Sequence, residues 1–165
     1  MEEKIIILDF GSQYTQLIAR RVRELNVYCE IWPFNSAQKI DQSVKGVILS
    51  GSPSSVRDNN APIPDLTLVK GKIPLLGICY GAQYLAQFFG GEVAPSNSRE
   101  YGRANLEITD SSCRLFKDLK SHSQVWMSHG DTIIKLPQGY QITGNTESVA
   151  IGAFKISDEE TYGIQ

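Results

Sequence analysis

One cysteine in the middle of the chain lies between a buried strand and a helix. The apolar residues 73–78 predict a strand buried on both faces, and residues 82–89 predict a helix that ends at Gly90. Cys79 lies between them, with Gly77 and Gly81 two residues to either side. Glycine at both positions lets a strand turn directly into a helix, because the two backbones can approach closely there. The pattern is that of a nucleophile elbow with sulfur in place of a serine oxygen.

The elbow predicts a reactive thiol. The turn would point the Cys79 side chain out of the carboxyl edge of the sheet, and the positive end of the following helix would favour the thiolate. The alternative is a small buried cysteine with only a packing role, since free cysteines are often buried. The two glycines at fixed positions favour a nucleophile, and Cys29 and Cys113 have no comparable setting.

Composition excludes several classes of protein. The 165 residues are 41% hydrophobic, which is enough for one domain, 1–165, with a full core. A net charge of −2 leaves no basic excess, so nucleic acid is not an expected partner. The sequence has no membrane-length apolar run, no signal-peptide pattern and no metal-ligand spacing, so neither a membrane nor a metal is expected. An odd number of cysteines, three, fits a reducing cytoplasm.

Strands and helices alternate in the first half of the chain, and strands dominate the second. Apolar runs predict four early strands, at 4–10, 27–34, 44–49 and 73–78. A helix is expected after Ser12, a candidate cap, and a shorter one near 65–69. This alternation predicts a parallel sheet with helices on both faces. Six further short strands are expected to extend the sheet in antiparallel fashion, at 92–94, 104–108, 124–127, 132–136, 140–143 and 149–154.

The polar loop 50–55 follows one predicted strand, and Cys79 follows another. Ligands of parallel sheets bind beyond the carboxyl ends of the strands. We therefore expect loop 50–55 and Cys79 to lie close together.

Five segments of the sequence carry a resemblance to a known family, at 7–14, 48–53, 77–83, 98–102 and 125–131. With these segments the chain resembles the class I (triad) glutamine amidotransferases. The opening Asp-Phe-Gly-Ser-Gln and the Trp-Met-Ser-His-Gly-Asp at 126–131 resemble most closely the amidotransferase domains of GMP synthases. The resemblance implies an α/β fold, a flavodoxin-like three-layer α/β/α arrangement. Its central, mostly parallel sheet would carry an antiparallel extension in the second half.

The resemblance also implies a reaction. Cys79 would attack the side-chain amide carbon of glutamine, release ammonia and leave a glutamyl thioester that water hydrolyses. The amides of Tyr80 and Ser52 would stabilise the oxyanion. The domain itself would need no cofactor, while a synthetase domain or subunit would use ATP and Mg²⁺ to aminate xanthosine monophosphate. The residues that the resemblance assigns to glutamine binding are Gly51, Gln83, Tyr101, Ser128, His129, Gly130 and Asp131.

Two positions depart from the family pattern. Ser52 stands where the family has the second glycine of a Ser-Gly-Gly-Pro loop, and it would be strained if that position requires positive φ. The family places its base and its orienting acid in a Phe-His-Pro-Glu segment after Tyr-Gly-Val-Gln, whereas this sequence reads Tyr-Gly-Ile-Gln at 162–165 and stops. By the same resemblance His129 is not the base, and His122 is expected at the solvated surface. We expect the chain to be inactive alone, and its last strand to fray.

Two other interpretations stay open. One is a non-catalytic module of the same fold that binds glutamine or regulates a synthetase, which the absent histidine and Ser52 favour. The other is a different amidotransferase, such as the glutaminase of anthranilate synthase or carbamoyl phosphate synthetase. The residues at 126–129 argue against this second interpretation.

Overall fold

The computed structural model describes residues 2–165, without the side chains of residues 97–100. Over this range two helices, α1 and α2, accompany nine strands, β1 to β9. The helices are α1 (Thr15–Glu24) and α2 (Tyr80–Gln87). The strands are β1 (Lys4–Asp9), β2 (Cys29–Pro33), β3 (Val44–Leu49), β4 (Leu75–Ile78), β5 (Glu92–Ile108), β6 (His122–Lys135), β7 (Tyr140–Asn145), β8 (Ala153–Ile156) and β9 (Thr161–Ile164). Two short 3₁₀ helices cover Phe34–Lys39 and Arg114–Phe116.

The strands form one sheet in the order β2-β1-β3-β4-β9-β8-β7-β5-β6. The pairs from β2 to β9 are parallel, and the pairs from β9 to β6 are antiparallel. The predicted parallel sheet with an antiparallel extension is therefore confirmed. β9 lies at the junction, parallel to β4 on one side and antiparallel to β8 on the other.

The alternation of side chains along β1 separates two apolar layers. Ile6 and Leu8 pack in the same cluster as Tyr80, Ala82 and other residues of α2, whereas Ile7 packs with Ala19 of α1. Successive residues of a strand point to opposite faces of its sheet. The two helices therefore cover opposite faces, which gives the predicted three-layer α/β/α arrangement. None of the helices described is long and apolar enough to span a bilayer.

Five local predictions need correction. The strand expected at 149–154 begins only at Ala153, as β8 (Ala153–Ile156). Residues 65–69 form turns rather than a helix, with Val69 and Lys70 N–H groups both donating to the Leu66 carbonyl. The strands expected at 92–94 and 104–108 are one long strand, β5, and those at 124–127 and 132–136 are both parts of β6. β5 and β6 pair along most of their length, and this pairing keeps residues in strand conformation even where their own sequence does not favour a strand. The expected fraying of the last strand is wrong, because β9 is paired on both edges.

Ser12 also differs in detail from the expected cap. Its Oγ accepts a hydrogen bond from the Tyr14 N–H (3.0 Å), one residue before α1 begins at Thr15. Ser12 thus closes a local turn that leads into the helix.

Candidate active site

The predicted elbow at Cys79 is present. β4 ends at Ile78, α2 begins at Tyr80, and Cys79 between them has φ +52° and ψ −106°. Residues other than glycine rarely adopt positive φ, so this backbone conformation is strained and is held by its surroundings. One support is the hydrogen bond from the Cys79 N–H to the Ile164 carbonyl (2.8 Å) of β9.

The two elbow glycines are required by close approach of backbones. A Cβ on Gly77 would lie 2.6 Å from the Gly81 carbonyl carbon, and one on Gly81 would lie 2.6 Å from the Leu49 Cβ and 2.8 Å from the Leu49 oxygen. Real Cβ atoms do not come this close to other atoms. Any side chain at either position would push β4, α2 and β3 apart.

The thiol of Cys79 is a weaker acid than the elbow alone predicts. Burial raises the pKa of the Cys79 thiol, a hydrogen bond from the Tyr80 N–H opposes this, and the Asp131 carboxylate adds to the rise. The net shift is upward, so the expected stabilisation of the thiolate is not found. The sulfhydryl meets the Ser128 carbonyl (3.8 Å), which can accept a hydrogen bond but cannot take up the proton, so nucleophilic attack needs a base.

The loop 50–55 lies beside the nucleophile, as the strand order predicts. A Cβ on Gly51 would lie 3.8 Å from the Cys79 Cβ and 3.4 Å from the Ser12 Oγ. Ser52 does not have positive φ, so the strain considered for it is absent. Its Oγ instead accepts a hydrogen bond from the Ser54 N–H (3.1 Å), which turns the loop. The main chain at Gly51 and Ser52 thus runs past the thiol.

Gln83 lies one turn along α2 from Cys79 and is 3% exposed. Its N–H donates to the Cys79 carbonyl (3.0 Å), and its side-chain Nε2 donates to the Asp131 carbonyl (3.1 Å) and the Gln165 Oε1 (3.0 Å). The amide nitrogen of Gln83 therefore bridges β6 and the end of β9. Gln83 is predicted to contact the substrate, but its side-chain nitrogen already makes these two hydrogen bonds.

The segment 128–131 of β6 runs along the other side of the thiol. The His129 ring is 4% exposed, and its Nδ1 lies 2.7 Å from the Asp131 carbonyl oxygen. Since a carbonyl oxygen only accepts, Nδ1 carries a proton and donates it. Gly130 and the Ser128 side chain are exposed, and the Asp131 carboxylate accepts a hydrogen bond from the Ser55 hydroxyl.

Two residues considered from the sequence have exposed side chains. The Tyr101 side chain is 62% exposed, and Tyr101 pairs with Ser128 across the β5–β6 ribbon. The His122 side chain is 72% exposed beside Ser121 and Glu107 at the start of β6, as expected of a surface residue.

Sequence reasoning missed two polar groups that the fold brings to the site. The Gln165 side chain accepts from Gln83 and donates to Thr132 Oγ1 (3.4 Å) and to the Ile151 carbonyl (3.4 Å). Ser55 contacts Asp131, which lies 76 residues away in sequence. No local pattern signals either contact.

All three cysteines are free thiols, but they differ in access. Cys29 is 1% exposed and Cys113 is 2% exposed, while Cys79 is partly exposed. Among the residues that the structure describes, no group of three or more potential metal ligands comes together. The chemistry that the site offers is therefore that of one accessible thiol between two backbone segments.

Limiting iodoacetamide is expected to label Cys79 before Cys29 and Cys113, because only its sulfur is accessible. The labelling rate should keep rising with pH beyond the ordinary thiol pKa of about 8.5, since burial raises the pKa of Cys79. Adducts are mapped by mass spectrometry across a pH series, with free cysteine as the reference. Faster labelling of Cys29 or Cys113 would contradict the described burial of the three cysteines. A Cys79 labelling rate that levels off at a pH below the pKa of free cysteine would contradict the raised pKa of Cys79.

Comparison with known protein families accounts for the cysteine elbow and the loop beside it. The model of the glutamine amidotransferase class-I family matches residues 6–165. The chain belongs to this family. The chain also matches curated proteins over its whole length. The glutamine-hydrolysing GMP synthase of Cytophaga hutchinsonii is 62% identical over 165 residues, which are all of this chain and 32% of that protein. That of Phocaeicola vulgatus is 57% identical over the same shares.

Solved structures agree with the fold of the chain. A putative GMP synthase subunit from Thermoplasma acidophilum superposes with a TM-score of 0.85 at 30% identity, over all of this chain and 83% of that one. A glutamine amidotransferase from Thermotoga maritima gives a TM-score of 0.76 at 22% identity, over all of this chain and 75% of that one. The chain spans about a third of the length of the curated relatives it matches.

Proposed function

We propose that residues 1–165 are the glutamine-hydrolysing domain of a GMP synthase. The observation that carries the proposal is the cysteine elbow, in a chain whose whole length matches proteins named glutamine-hydrolysing GMP synthase at 62% and 57% identity. The remaining two thirds of such a protein would form the synthetase part. That part would use ATP and Mg²⁺ to aminate xanthosine monophosphate, and the amidotransferase domain would need no cofactor. A cytoplasmic location and the absence of membrane or nucleic-acid partners belong to the same proposal.

The proposed reaction begins with loss of the Cys79 proton to a base. The thiolate attacks the side-chain amide carbon of glutamine, and the carbonyl oxygen becomes an oxyanion. Collapse of this intermediate breaks the carbon–nitrogen bond, and the proton returned by the base leaves with ammonia. Water then hydrolyses the glutamyl thioester to glutamate and restores the thiol.

Two main-chain amides are candidates for the oxyanion site. The Tyr80 N–H already hydrogen-bonds the Cys79 sulfur, so it lies within reach of an atom attached to that sulfur. The Ser52 N–H belongs to the loop that passes the thiol at Gly51. The Tyr80 side chain has no direct part, because it is buried against Phe10 and its hydroxyl donates to the Pro62 carbonyl (2.7 Å).

Glutamine would lie between loop 50–55 and the segment 128–131. The Ser128 carbonyl faces the thiol and the Asp131 carboxylate lies close enough to influence its pKa, so both can accept from a substrate amino group. The exposed Gly130 leaves room for the substrate main chain, since nothing lies within 4 Å of a Cβ built there. Tyr101, opposite Ser128, would border the outer end of the pocket.

The base would come from residues that follow Gln165. The Cys79 N–H donates to the Ile164 carbonyl, so a chain that continues past β9 emerges beside the nucleophile. His129 is a poorer candidate because its ring is fixed inside the fold, 4% exposed and hydrogen-bonded through Nδ1 to the Asp131 carbonyl. The exposed His122 lies at the far end of β6 from the segment 128–131.

A chloroketone analogue of glutamine tests the proposal on this chain without requiring turnover. The Cys79 thiolate displaces chloride from the reagent and forms a thioether, while the glutamine-like part occupies the substrate site. We expect saturable modification of Cys79 and protection by glutamine. The matched aspartate-derived reagent, shorter by one methylene, should modify the thiol at least about tenfold more slowly. Linear, unprotected modification would contradict a glutamine site.

A non-catalytic glutamine-binding or synthetase-regulating module of the same fold is the second candidate. The raised pKa of Cys79 favours it, because a protonated thiol does not attack an amide. This module would show saturable labelling by the chloroketone but no glutamate formation in the full-length protein.

A further inference from the structure

Asp131 is held at both ends, its main chain and its side chain. Its carbonyl oxygen accepts from the His129 Nδ1 (2.7 Å) and the Gln83 Nε2 (3.1 Å). Its carboxylate accepts from the Ser55 hydroxyl, which comes from the loop after β3. Among the residues that the structure describes, this hydrogen bond between Ser55 and Asp131 joins loop 50–55 to β6.

The Ser55 hydroxyl has its orientation set by its own turn. The Arg57 N–H donates to Ser55 Oγ (3.1 Å), and the Ser55 N–H donates to the Asp58 Oδ2 (2.8 Å). A serine hydroxyl has one proton to donate. With an N–H already directed at its oxygen, that proton goes to Asp131.

This bond joins the two backbone segments that flank the thiol. Gly51 and Ser52 lie on one of them, and the Ser128 carbonyl, 3.8 Å from the Cys79 sulfur, lies on the other. The attack geometry depends on the distance between these segments, because a misplacement of about 1 Å at a reacting centre costs on the order of a hundredfold in rate. Ser55 occupies only one acceptor position of the carboxylate, so Asp131 can still accept from a substrate.

We propose that Ser55 is a positioning residue that, through Asp131, fixes the spacing of loop 50–55 and segment 128–131 around glutamine. Ser55 itself touches neither the thiol nor the reacting atoms. The inference rests on the proposed function, because it assigns Ser55 to the glutamine site.

The test compares two alkylating reagents on the folded chain. The chloroketone analogue of glutamine reports both binding and alignment at Cys79, whereas iodoacetamide needs neither. Ser55→Ala is compared with Ser54→Ala, the same change one residue earlier. Ser55→Thr and Ser55→Val form a second pair, equal in shape, of which only the first keeps a hydroxyl. Labelling of the buried Cys29 and Cys113 reports any loss of fold.

We expect Ser55→Ala and Ser55→Val to lower the second-order chloroketone rate by about tenfold, which is about 1.4 kcal/mol. Their iodoacetamide rates should stay within about twofold of the unchanged chain, and Ser54→Ala and Ser55→Thr should behave like the unchanged chain with both reagents.

Three outcomes would overturn the inference. In the first, the chloroketone rate of Ser55→Ala equals that of Ser54→Ala, and the rate of Ser55→Val equals that of Ser55→Thr. The Ser55 hydroxyl then has no role. In the second, both reagents slow equally, which places the effect on the thiol or the fold rather than on alignment. In the third, the unchanged chain itself shows no saturation, and then the proposed function fails and the inference fails with it. Saturation in the unchanged chain with no effect at Ser55 overturns the inference alone.

Discussion

Extending the chain past Gln165 with a Phe-His-Pro-Glu segment is expected to raise glutamate formation from glutamine by at least about a thousandfold, the scale on which a triad acts as a unit. The physical reason is the protonated thiol. Burial and Asp131 raise the pKa of Cys79, and the group that its sulfhydryl meets is the Ser128 carbonyl, which cannot take a proton. A histidine after β9 would emerge beside the sulfur, because the Cys79 N–H already binds the Ile164 carbonyl.

The measurement compares the 165-residue chain, the extended chain and its Cys79→Ala variant as the blank. An extension that reads Phe-Ala-Pro-Ala is the matched control for chain length. Equal turnover by the 165-residue and extended chains would show that His129 or His122 serves as base. An extended chain that stays inactive, even with the synthetase part and nucleotides present, would favour the non-catalytic module.

Replacing Gly77 or Gly81 by valine is expected to destabilise the fold by about 3 kcal/mol or more, at or beyond the upper end of ordinary overpacking. The new Cβ would come within 2.6 Å of the Gly81 backbone in one case and of the Leu49 side chain in the other. Backbone atoms cannot rotate away as a flexible side chain can. For a domain of this size, such a loss lowers the melting temperature by roughly 6–12 °C.

Gly130→Val is the matched control, because nothing lies within 4 Å of a Cβ built at Gly130. Its melting temperature should change by no more than about 2 °C, as expected for an exposed position. Melting curves of the Gly77 and Gly81 variants that coincide with that of Gly130→Val would show that β4 and α2 are not packed as closely as described.

The parts of the fold that the sequence predicts are those set by neighbouring residues. β1, β3 and β4 follow from apolar runs, and the elbow follows from two glycines around one cysteine. The helix predicted near 65–69 is replaced by turns, because a segment of five residues forms too few helical hydrogen bonds to offset the cost of helix nucleation. β5 and β6 were predicted as fragments because their length comes from pairing with each other, which no local pattern contains.

At the site, the sequence does not predict the properties that depend on burial and on nearby charges. The elbow pattern predicts the position of the Cys79 sulfur correctly but its acidity wrongly, because the pKa of the thiol depends on how much of the fold closes over it. The Ser55–Asp131 bond could not be predicted either, because it joins residues that only the sheet order brings together. The family glycine at the position of Ser52 suggests positive φ there, but Ser52 does not have it.

The place of β9 in the sheet has a consequence for synthesis on the ribosome. β4 and its cysteine leave the exit tunnel long before Thr161–Ile164, yet these four residues pair with Leu75–Ile78. Until they emerge, the nascent chain has an open hydrogen-bonding edge on a buried apolar strand, which is a template for pairing with other chains. The parallel and antiparallel halves can then join only in a late, non-local step, so the whole sheet closes slowly. Translation stalled before Thr161 would leave the nucleophile formed on an unfinished sheet and exposed to aggregation.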